Sequence, residues 1–250
     1  MISADLSGKT ALVTGGASGV GLATVELLAK CGAAVALNHR ANNKSAALEV
    51  ERLTKLGYRV IAAPGDVGSA REAERMVAQV VEQLGRLDIL VNNAGTTAVI
   101  PHHDLDAATA EVWERILRVN VLGTWHVTRA AVPHLRANGD GVILNITSIA
   151  GVRPTGSSIP YAVSKAALNH LTLLLANVLG PEIRVHAVAP GLIDTPWTED
   201  WDALRNVVRE MAPLRRSGVP EDVADACLGL VRARYSTGQV LLVDGGLALR

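Results

Sequence analysis

The sequence predicts a doubly wound α/β fold, in which a parallel sheet lies between two layers of helices. Short runs that are apolar throughout alternate with longer segments of helical periodicity, and such runs are typical of strands buried on both faces. Strand and helix also follow one another in strict succession, which requires crossover connections and a parallel sheet covered by helices. We therefore expect a three-layer αβα arrangement with about seven strands.

The predicted elements follow from these runs in chain order. The strands are residues 9–14, 33–38, 59–63, 88–91, 141–146, 183–188 and 240–243. The helices are residues 19–31, 44–56, 69–84, 107–137, 161–179 and 221–231. No repeat, low-complexity tract or linker divides the chain, so residues 1–250 are expected to form one domain, with a lid over its site around residues 192–216.

Composition excludes several classes of partner. Of the 250 residues, 49% are hydrophobic and 19% are charged, which suits a large buried core. The 24 basic and 24 acidic side chains give a net charge of +0, so nothing favours nucleic acid or an anionic membrane surface. Cys31 and Cys227 lack a paired spacing, and the adjacent His102 and His103 lack a third ligand at metal spacing. No bound metal is therefore expected, and the two histidines are interpreted as loop residues.

The start of the chain and its apolar stretches bear on where the protein acts. The first five residues do not have the basic and then apolar pattern of a secretory signal. The most apolar stretches reach only about half of the ~20 residues needed to span a bilayer. We therefore expect a soluble, cytoplasmic protein.

A glycine-rich stretch follows the first predicted strand and leads into the first predicted helix. Glycines let the backbone turn tightly and approach a ligand closely. A helix start offers unpaired N–H groups and the positive end of the helix dipole, which suit a pyrophosphate. This placement predicts a dinucleotide-binding loop. Its expected contacts are Gly15, Ser18, Gly19, Val20 and Gly21.

The residues after the second predicted strand favour NADP as the dinucleotide. Sheets of this kind that bind NAD place an Asp or Glu about 20 residues beyond the glycines, yet no acidic residue lies between Glu26 and Glu49. The strand instead ends in Asn38-His39-Arg40. An arginine pairs with a ribose 2′-phosphate, which a carboxylate would repel. Arg40 is thus the leading contact and Asn38 a second, while use of NAD stays open.

Tyr161 and Lys165 lie four residues apart in a predicted helix, so their side chains share one face. A free tyrosine has a pKa of about 10, too high for a base at neutral pH. A lysine cation at ~4 Å, with an effective dielectric constant of ~20, favours the phenolate by ~4 kcal/mol. The pKa of Tyr161 is therefore expected to fall by about three, into the neutral range where acid–base catalysis is effective. Ser148, at the end of the fifth predicted strand, is placed to hold a substrate carbonyl.

Taken in their order along the chain, these motifs resemble the short-chain dehydrogenase/reductase family. The resemblance covers about residues 6–247 and implies a Rossmann fold and a dinucleotide-dependent oxidoreductase. The segments that carry it are Gly15-Gly16-Ala17-Ser18-Gly19-Val20-Gly21, Asn92-Asn93-Ala94-Gly95, Pro190-Gly191 with Thr195, Thr237-Gly238-Gln239 and Val243-Asp244-Gly245-Gly246.

The resemblance implies a catalytic set of Asn120, Ser148, Tyr161 and Lys165. Tyr161 would exchange a proton with the substrate while Ser148 holds the carbonyl. Lys165 would lower the pKa of Tyr161 and also bind the nicotinamide ribose. Asn120 would perturb the long helix and hold a water that joins Lys165 to solvent.

Further contacts with the dinucleotide follow from the same resemblance. Asp66 would accept a hydrogen bond from the adenine amino group, and Val67 would pack beside the ring. The main chain of Ile193 and the hydroxyl of Thr195 would bind the nicotinamide amide. Ser18 stands where many NADP-using relatives carry a second basic residue. The remaining implied contacts are His39, Asn93, Ala94, Gly95, Pro190 and Gly191.

The substrate is expected to be bounded by the lid and by two loops. Trp197 and Trp201 are predicted to share one face of a helical lid, where they either wall the pocket or pack the lid against the body. Thr96, Thr97 and the loop 151–160 should border the substrate. Within that loop, Arg153 is either a contact for an anionic substrate group or a surface charge.

The predicted function is the NADP-dependent interconversion of a ketone and a secondary alcohol of small-molecule size. The chain is similar to 3-oxoacyl-(acyl-carrier-protein) reductases, which suggests reduction of a 3-oxoacyl thioester. Three alternatives stay open: a dehydrogenase of a sugar or other alcohol that uses NAD, a non-catalytic NADP(H)-binding redox sensor, and an isomerase or dehydratase. The helices 107–137 and 161–179 resemble family subunit contacts, so a homo-oligomer, either a dimer or a tetramer, is expected.

Overall fold

The computed structural model of the chain describes residues 4–40 and 44–250. The strands are β1 (Thr10–Val13), β2 (Ala34–His39), β3 (Val60–Pro64), β4 (Ile89–Asn92), β5 (Gly141–Ile146), β6 (Ile183–Pro190) and β7 (Val240–Val243). In the described residues they form a seven-stranded sheet in the order β3-β2-β1-β4-β5-β6-β7. All neighbouring pairs are parallel. The structure confirms the doubly wound α/β fold.

Helices connect the strands and cover both faces of the sheet. They are α1 (Gly19–Lys30), α2 (Lys44–Lys55), α3 (Ala70–Leu84), α4 (Ala110–Leu117), α5 (Gly123–Ala137), α6 (Ile159–Leu179), α7 (Asp202–Met211) and α8 (Pro220–Arg232). Helices α1, α2 and α8 cover one face, while α3, α5 and α6 cover the other. Within a strand, neighbours alternate between the two cores: Leu12 and Ile143 belong to one, Val13 and Leu144 to the other. This two-sided burial explains why the strands are apolar throughout.

Two helices differ from their predicted form in ways that affect the site. The predicted helix 107–137 is divided by a π-helical turn, Arg118–Leu122, which joins α4 to α5. Helix α6 begins two residues earlier than predicted because Ser158 caps it: its hydroxyl accepts from the main-chain N–H of Tyr161 at 3.3 Å. Pro160, in the first turn, also favours this start. The signal, a serine shortly before a proline, is visible in the sequence.

Helix α6 is more apolar than expected from its longest apolar stretch alone. An 18-residue window of this 21-residue helix has a mean hydropathy of 1.3, so by length and composition the helix is able to cross a membrane. A buried core helix passes the same test, and Leu168, Leu175 and Leu179 are buried in this fold. Residues 1–3, on which the predicted location partly rests, lie outside the described residues.

Candidate active site

A cavity of about 1650 Å³ lies at the carboxyl ends of the strands. It is larger than the ~300–1000 Å³ typical of a site for one small ligand. Every residue predicted for catalysis or for binding the dinucleotide lines it except Gly21 and Asn120. Of the predicted substrate contacts, Thr96 and residues 154–157 line it, whereas Thr97, residues 151–153 and residues 158–160 do not. We call its two ends the glycine end, formed by residues 15–21 with Asn38 and Asn93, and the tryptophan end, formed by Trp197, Trp201 and the loop 96–109.

The loop at the glycine end depends on glycine at specific positions. Gly15 and Gly19 have φ values of 61° and 52°, in the left-handed region that other residues rarely adopt. A Cβ added at Gly21 would lie 2.3 Å from the oxygen of Gly15 and 2.5 Å from Nδ2 of Asn93. Gly21 therefore lies beneath the loop rather than on the cavity wall, and any side chain there would push the loop outward.

The glycine loop is tied to the segment after β4 by buried polar groups. The hydroxyl of Thr14 accepts hydrogen bonds from the main-chain N–H groups of Asn93 (2.9 Å) and Ala94 (3.0 Å). Asn93 Nδ2 in turn donates to the oxygens of Thr14 and Gly15, each at 3.0 Å. Asn93 thus holds the loop through its side chain. Thr14 was not among the predicted site residues, although its place between strand and glycines was a usable signal.

Asn38 does not have the role that the sequence suggested. Its side chain is buried, and Nδ2 donates to the oxygens of Ala63 (2.9 Å) and Gly65 (3.0 Å). Its Oδ1 accepts from the N–H of Gly15 at 3.2 Å. Because both ends of the amide are engaged with the protein, Asn38 positions the loop and is not free to bind a ribose phosphate.

The end of β2 presents one cation to the cavity. Arg40 is exposed, lines the cavity, and forms no ion pair within residues 4–40 and 44–250. His39 also lines it, and its Nδ1 lies 2.7 Å from the main-chain oxygen of Arg40. Ser18 stands at the start of α1 without a side-chain capping bond, and the first turn of that helix contains no acidic residue. The glycine end is therefore free of carboxylates that would oppose an anion.

The other predicted dinucleotide contacts are held by neighbouring main chain. The carboxylate of Asp66 accepts from the N–H of Gly68 at 2.8 Å and lies 3.4 Å from Arg118 Nη1. Val67 is buried. On the opposite wall a Cβ added at Gly19 would lie 3.2 Å from Cγ2 of Thr195, so the segment after β6 approaches the glycine loop closely.

Ser148, Tyr161 and Lys165 converge on the middle of the cavity. Ser148 follows β5, and its hydroxyl accepts from the N–H of Ala150 at 3.1 Å. Lys165 is 3% exposed, and its Nζ donates to the oxygen of Ile146 at 2.8 Å. The same Nζ lies 5.6 Å from the centroid of the Tyr161 ring. The predicted group is thus assembled from the end of β5 and one face of α6.

The expected fall in the pKa of Tyr161 is wrong for this structure. Burial raises the pKa of Tyr161, and the hydrogen bond with Ser148 opposes that rise only in part. Burial also lowers the pKa of Lys165 to about 8. The prediction treated Lys165 as a full charge beside the phenol oxygen, whereas no hydrogen bond joins the two groups and the ammonium is itself poorly solvated. Tyr161 is therefore protonated at neutral pH.

Asn120 lies in the π-helical turn and is completely buried. Its Oδ1 accepts from the N–H of Thr96 at 2.8 Å, and its Nδ2 donates to the hydroxyl of Ser164 at 2.9 Å. A Cβ added at Gly95 would lie 3.5 Å from that Oδ1 and 3.7 Å from Lys165 Nζ. The perturbed helix matches the prediction, and the side chain joins the segment after β4 to helix α6 behind the cavity wall.

The tryptophan end is built differently from the predicted helical lid. Trp197 lies in a short 3₁₀ turn (Pro196–Thr198) and Trp201 just before α7, so the two do not share a helix face. Both line the cavity. The ring of Trp197 meets that of Tyr161 edge-on, with centroids 6.4 Å apart.

Two charged contacts fix the segment after β6. Arg205, on α7, donates to Asp194 Oδ1 at 2.8 Å and to the oxygen of Thr198 at 2.6 Å. The hydroxyl of Ser217 and the guanidinium of Arg205 together lower the pKa of Asp194. Farther along, Arg216 pairs with Asp222 at the start of α8 through two hydrogen bonds of 2.6 and 3.0 Å. The segment is thus anchored near both of its ends.

Arg153 does not border the cavity. Its Nη2 donates to the main-chain oxygen of Arg250 at 2.7 Å, on the outer surface. The sequence alternative of a surface charge is therefore the correct one. Within the described residues no group of three or more His, Cys, Asp or Glu side chains is placed to hold a metal ion.

A Gly-rich loop that opens α1, together with a Tyr–Lys–Ser group at the same edge of a parallel sheet, is typical of dinucleotide-dependent oxidoreductases. Comparison with known proteins agrees. Residues 15–248 match the family model described as Enoyl-(Acyl carrier protein) reductase. A protein of Streptomyces violaceoruber, named as ketoacyl reductase 2 of the granaticin polyketide synthase, is 52% identical over 242 residues, covering 96% of both chains.

Solved structures give the same answer. A short-chain type dehydrogenase/reductase from Mycobacterium ulcerans superposes with a TM-score of 0.93 at 33% identity, covering 100% of this chain and 92% of that one. A gluconate 5-dehydrogenase from Burkholderia cenocepacia, solved with NADP and tartrate, gives a TM-score of 0.91 at 31% identity, covering 98% and 97%. The chain belongs to the short-chain dehydrogenase/reductase family and is an oxidoreductase of alcohol and ketone groups.

Proposed function

We propose that the protein is an NADPH-dependent ketoreductase in which Tyr161 protonates the oxygen of the substrate carbonyl. The observation that carries the proposal is the convergence of Ser148, Tyr161 and Lys165 in the cavity that the glycine loop also lines. Neither the glycine loop nor the group of Ser148, Tyr161 and Lys165 specifies the chemistry by itself. Their presence in one cavity supports a proton donor within reach of a bound nicotinamide.

The glycine end fits a dinucleotide phosphate. Gly21 lets the loop lie close to Asn93, because any Cβ there would overlap the oxygen of Gly15, and the first turn of α1 presents N–H groups without a competing acid. Arg40, unpaired among the described residues, supports a 2′-phosphate on the ribose. The solved relative from Burkholderia cenocepacia binds NADP. When bound, the reduced nicotinamide supplies the hydride for the carbonyl carbon.

The chain's own residues manage the proton and the orientation of the carbonyl. Tyr161 is protonated because burial raises its pKa, so its hydroxyl donates the proton as negative charge develops on the carbonyl oxygen. The hydroxyl of Ser148 offers a second hydrogen bond to the same oxygen. Lys165, held by the oxygen of Ile146, supplies positive charge beneath the phenol ring. The product is the secondary alcohol, and Tyr161 is reprotonated from solvent.

The substrate class follows from relatives and from the tryptophan end. The granaticin relative is named as a ketoacyl reductase, and the family model is described by a carrier-protein substrate. We propose a ketoacyl substrate, with segment 192–216 acting as its lid.

Exposed apolar side chains on α5 and α6, such as Trp125, Leu174 and Val178, support self-association of the protein.

The test of the proposal is Tyr161→Phe, which keeps the ring and removes the proton donor. Turnover of ketones with NADPH, followed by the loss of nicotinamide absorbance, should fall by about 10³-fold. NADPH affinity, measured by fluorescence, should stay the same. Turnover within about tenfold of the unaltered protein would show that another group protonates the substrate.

Arg40→Asp tests the dinucleotide separately. The carboxylate would repel a 2′-phosphate, so the ratio of kcat/KM for NADPH over NADH should fall by about 100-fold. An unchanged ratio would show that Arg40 does not contact the 2′-phosphate, and it would not contradict the ketoreductase proposal.

A further inference from the structure

The loop 96–109, between β4 and α4, contributes a polar side chain that the proposed chemistry does not use. Val99, Ile100, Pro101 and His102 from this loop line the cavity. The neighbouring His103 is exposed and does not line it. The sequence offered no role for this histidine pair beyond a surface loop.

The loop is held in place by the segment that follows β5. The N–H of Ile100 donates to the oxygen of Ser157 at 2.7 Å, and the hydroxyls of Thr97 and Ser157 lie 2.6 Å apart. Arg115, on α4, donates to the oxygen of Thr97 at 3.2 Å. Because Ser157 stands four residues before Tyr161, the position of His102 is coupled to that of the reacting group.

His102 is a polar group that lines the cavity and has no hydrogen-bond partner among the described residues. Neither ring nitrogen has a hydrogen-bond partner in the part of the chain described, and Nε2 is also shielded from solvent. Leaving such a nitrogen unpaired costs about 1–3 kcal/mol. The apolar side chains of Val99, Ile100, Trp197 and Trp201 also line the cavity, as do the polar side chains of Thr96 and Arg115.

A neutral imidazole suits a bound oxygen group. One of its nitrogens donates and the other accepts, and the change of tautomer exchanges these two roles. The ring can therefore pair with either a hydroxyl or a carbonyl.

We propose that His102 hydrogen bonds to a second oxygen group of the substrate, so that the enzyme selects apolar ketones that carry a further hydroxyl or carbonyl. This inference rests on the ketoreductase function proposed above. A site with a polar group in an apolar wall discriminates against a ligand that lacks the matching group, because that ligand leaves the polar group unpaired. His102 is thus a specificity-determining residue, whereas Tyr161 performs the proton transfer.

The experiment compares matched ketones that differ by one oxygen group. Suitable pairs are 2-tetralone with 6-hydroxy-2-tetralone, cyclohexanone with 1,4-cyclohexanedione, and 2-octanone with 8-hydroxy-2-octanone. With NADPH, the unaltered protein should favour the oxygen-rich member of at least one pair by about tenfold in kcat/KM. In His102→Leu that ratio should fall toward one, and His102→Gln should retain part of it.

The matched control is His103→Leu, which should keep the ratio of the unaltered protein. A merely structural effect of His102→Leu would lower turnover of both members alike and preserve their ratio, which would overturn the inference. Equal rates for both members of every pair in the unaltered protein would overturn it too. If the unaltered protein reduces no ketone, the proposed function fails first, and the inference fails with it.

Discussion

The glycine end and the tryptophan end of the cavity differ in how their walls are held. At the glycine end, the side chains of Thr14, Asn38 and Asn93 form hydrogen bonds with main-chain groups of neighbouring loops. At the tryptophan end, Trp197 is 47% exposed and Leu204 is 43% exposed. There the wall depends on a few charged contacts made by Arg205 and Arg216.

This difference means that the phosphate loop has its binding geometry before a ligand arrives, whereas the apolar wall is completed by the substrate. A phosphate loop must present several N–H groups at once, so its geometry is set by buried hydrogen bonds inside the protein. An apolar wall needs no directional hydrogen bonds. Its exposed side chains stabilise the complex most when a substrate removes them from water. We therefore expect changes at the glycine end to act on dinucleotide affinity and changes at the tryptophan end to act on KM for the ketone.

The largest effect should come from Gly21→Ala at the glycine end. The added methyl group would overlap the oxygen of Gly15, and such overpacking costs about 1–3 kcal/mol. The affinity for NADPH, measured by fluorescence titration, should fall by about 10- to 100-fold. Gly229→Ala is the matched control, because a Cβ there meets nothing within 4 Å. Equal losses in both variants, or none in Gly21→Ala, would contradict a preformed loop.

Lys165, between the two ends, should make stability depend on pH. The unfolded chain keeps this ammonium protonated up to its ordinary pKa of 10.5, whereas the folded protein loses the proton near its pKa of about 8. At this side chain the unfolded state therefore binds more protons in that window, and the contribution of Lys165 to the free energy of unfolding should rise by about 2 kcal/mol between pH 8 and pH 10.

Urea unfolding of the unaltered protein and of Lys165→Met, compared at each pH, measures this contribution. The difference between the two proteins should change over the window, in favour of the unaltered one at higher pH. The raised pKa values of Tyr161 and Cys227, which both proteins share, cancel from this difference. A difference that stays constant from pH 8 to pH 10 would show that the ammonium is better solvated than its surroundings suggest.

The smallest effect should come from Arg205→Ala at the tryptophan end. Loss of the bonds to Asp194 and Thr198 releases one anchor of the segment, so KM for a ketone should rise by about tenfold. NADPH affinity should change much less. Arg209→Ala, which removes a 3.1 Å bond to Asn206 and an attraction to Asp194 without a hydrogen bond, should leave both constants near their original values. A larger change in NADPH affinity than in KM would contradict the expectation that the tryptophan end acts on ketone binding and the glycine end on dinucleotide binding.

The sequence predicted the fold well because its signals are local. Apolar runs such as residues 141–146 coincide with β5 as the structure has it. The candidate group Ser148, Tyr161 and Lys165 was found because one turn of helix and one strand end determine where those side chains lie. Gly15, Gly19 and Gly21 were identifiable because only glycine tolerates their positions.

The remaining features depend on contacts between residues far apart in the chain. Asn38 looked like a ligand contact because its bonds to Ala63 and Gly65 come from another strand. The pKa of Tyr161 was misjudged because burial, which opposes the effect of a nearby cation, arises only when the cavity closes around the ring. Arg153 reaches Arg250, a partner that no spacing rule indicates.

The π-helical turn at Arg118–Leu122 is a local irregularity, and it also determines how far α5 is rotated about its axis relative to α4. Each residue of an α-helix advances the chain by ~100°, so one additional residue in a turn rotates everything that follows. Val127, Ala131 and Leu135 face the sheet only because that offset precedes them. Removing a single residue from the turn would keep nearly the same helix length yet swing this apolar stripe away from β4 and β5. The number of residues in this turn therefore determines which face of α5 meets the sheet, while Asn120 within the turn ties it to the site.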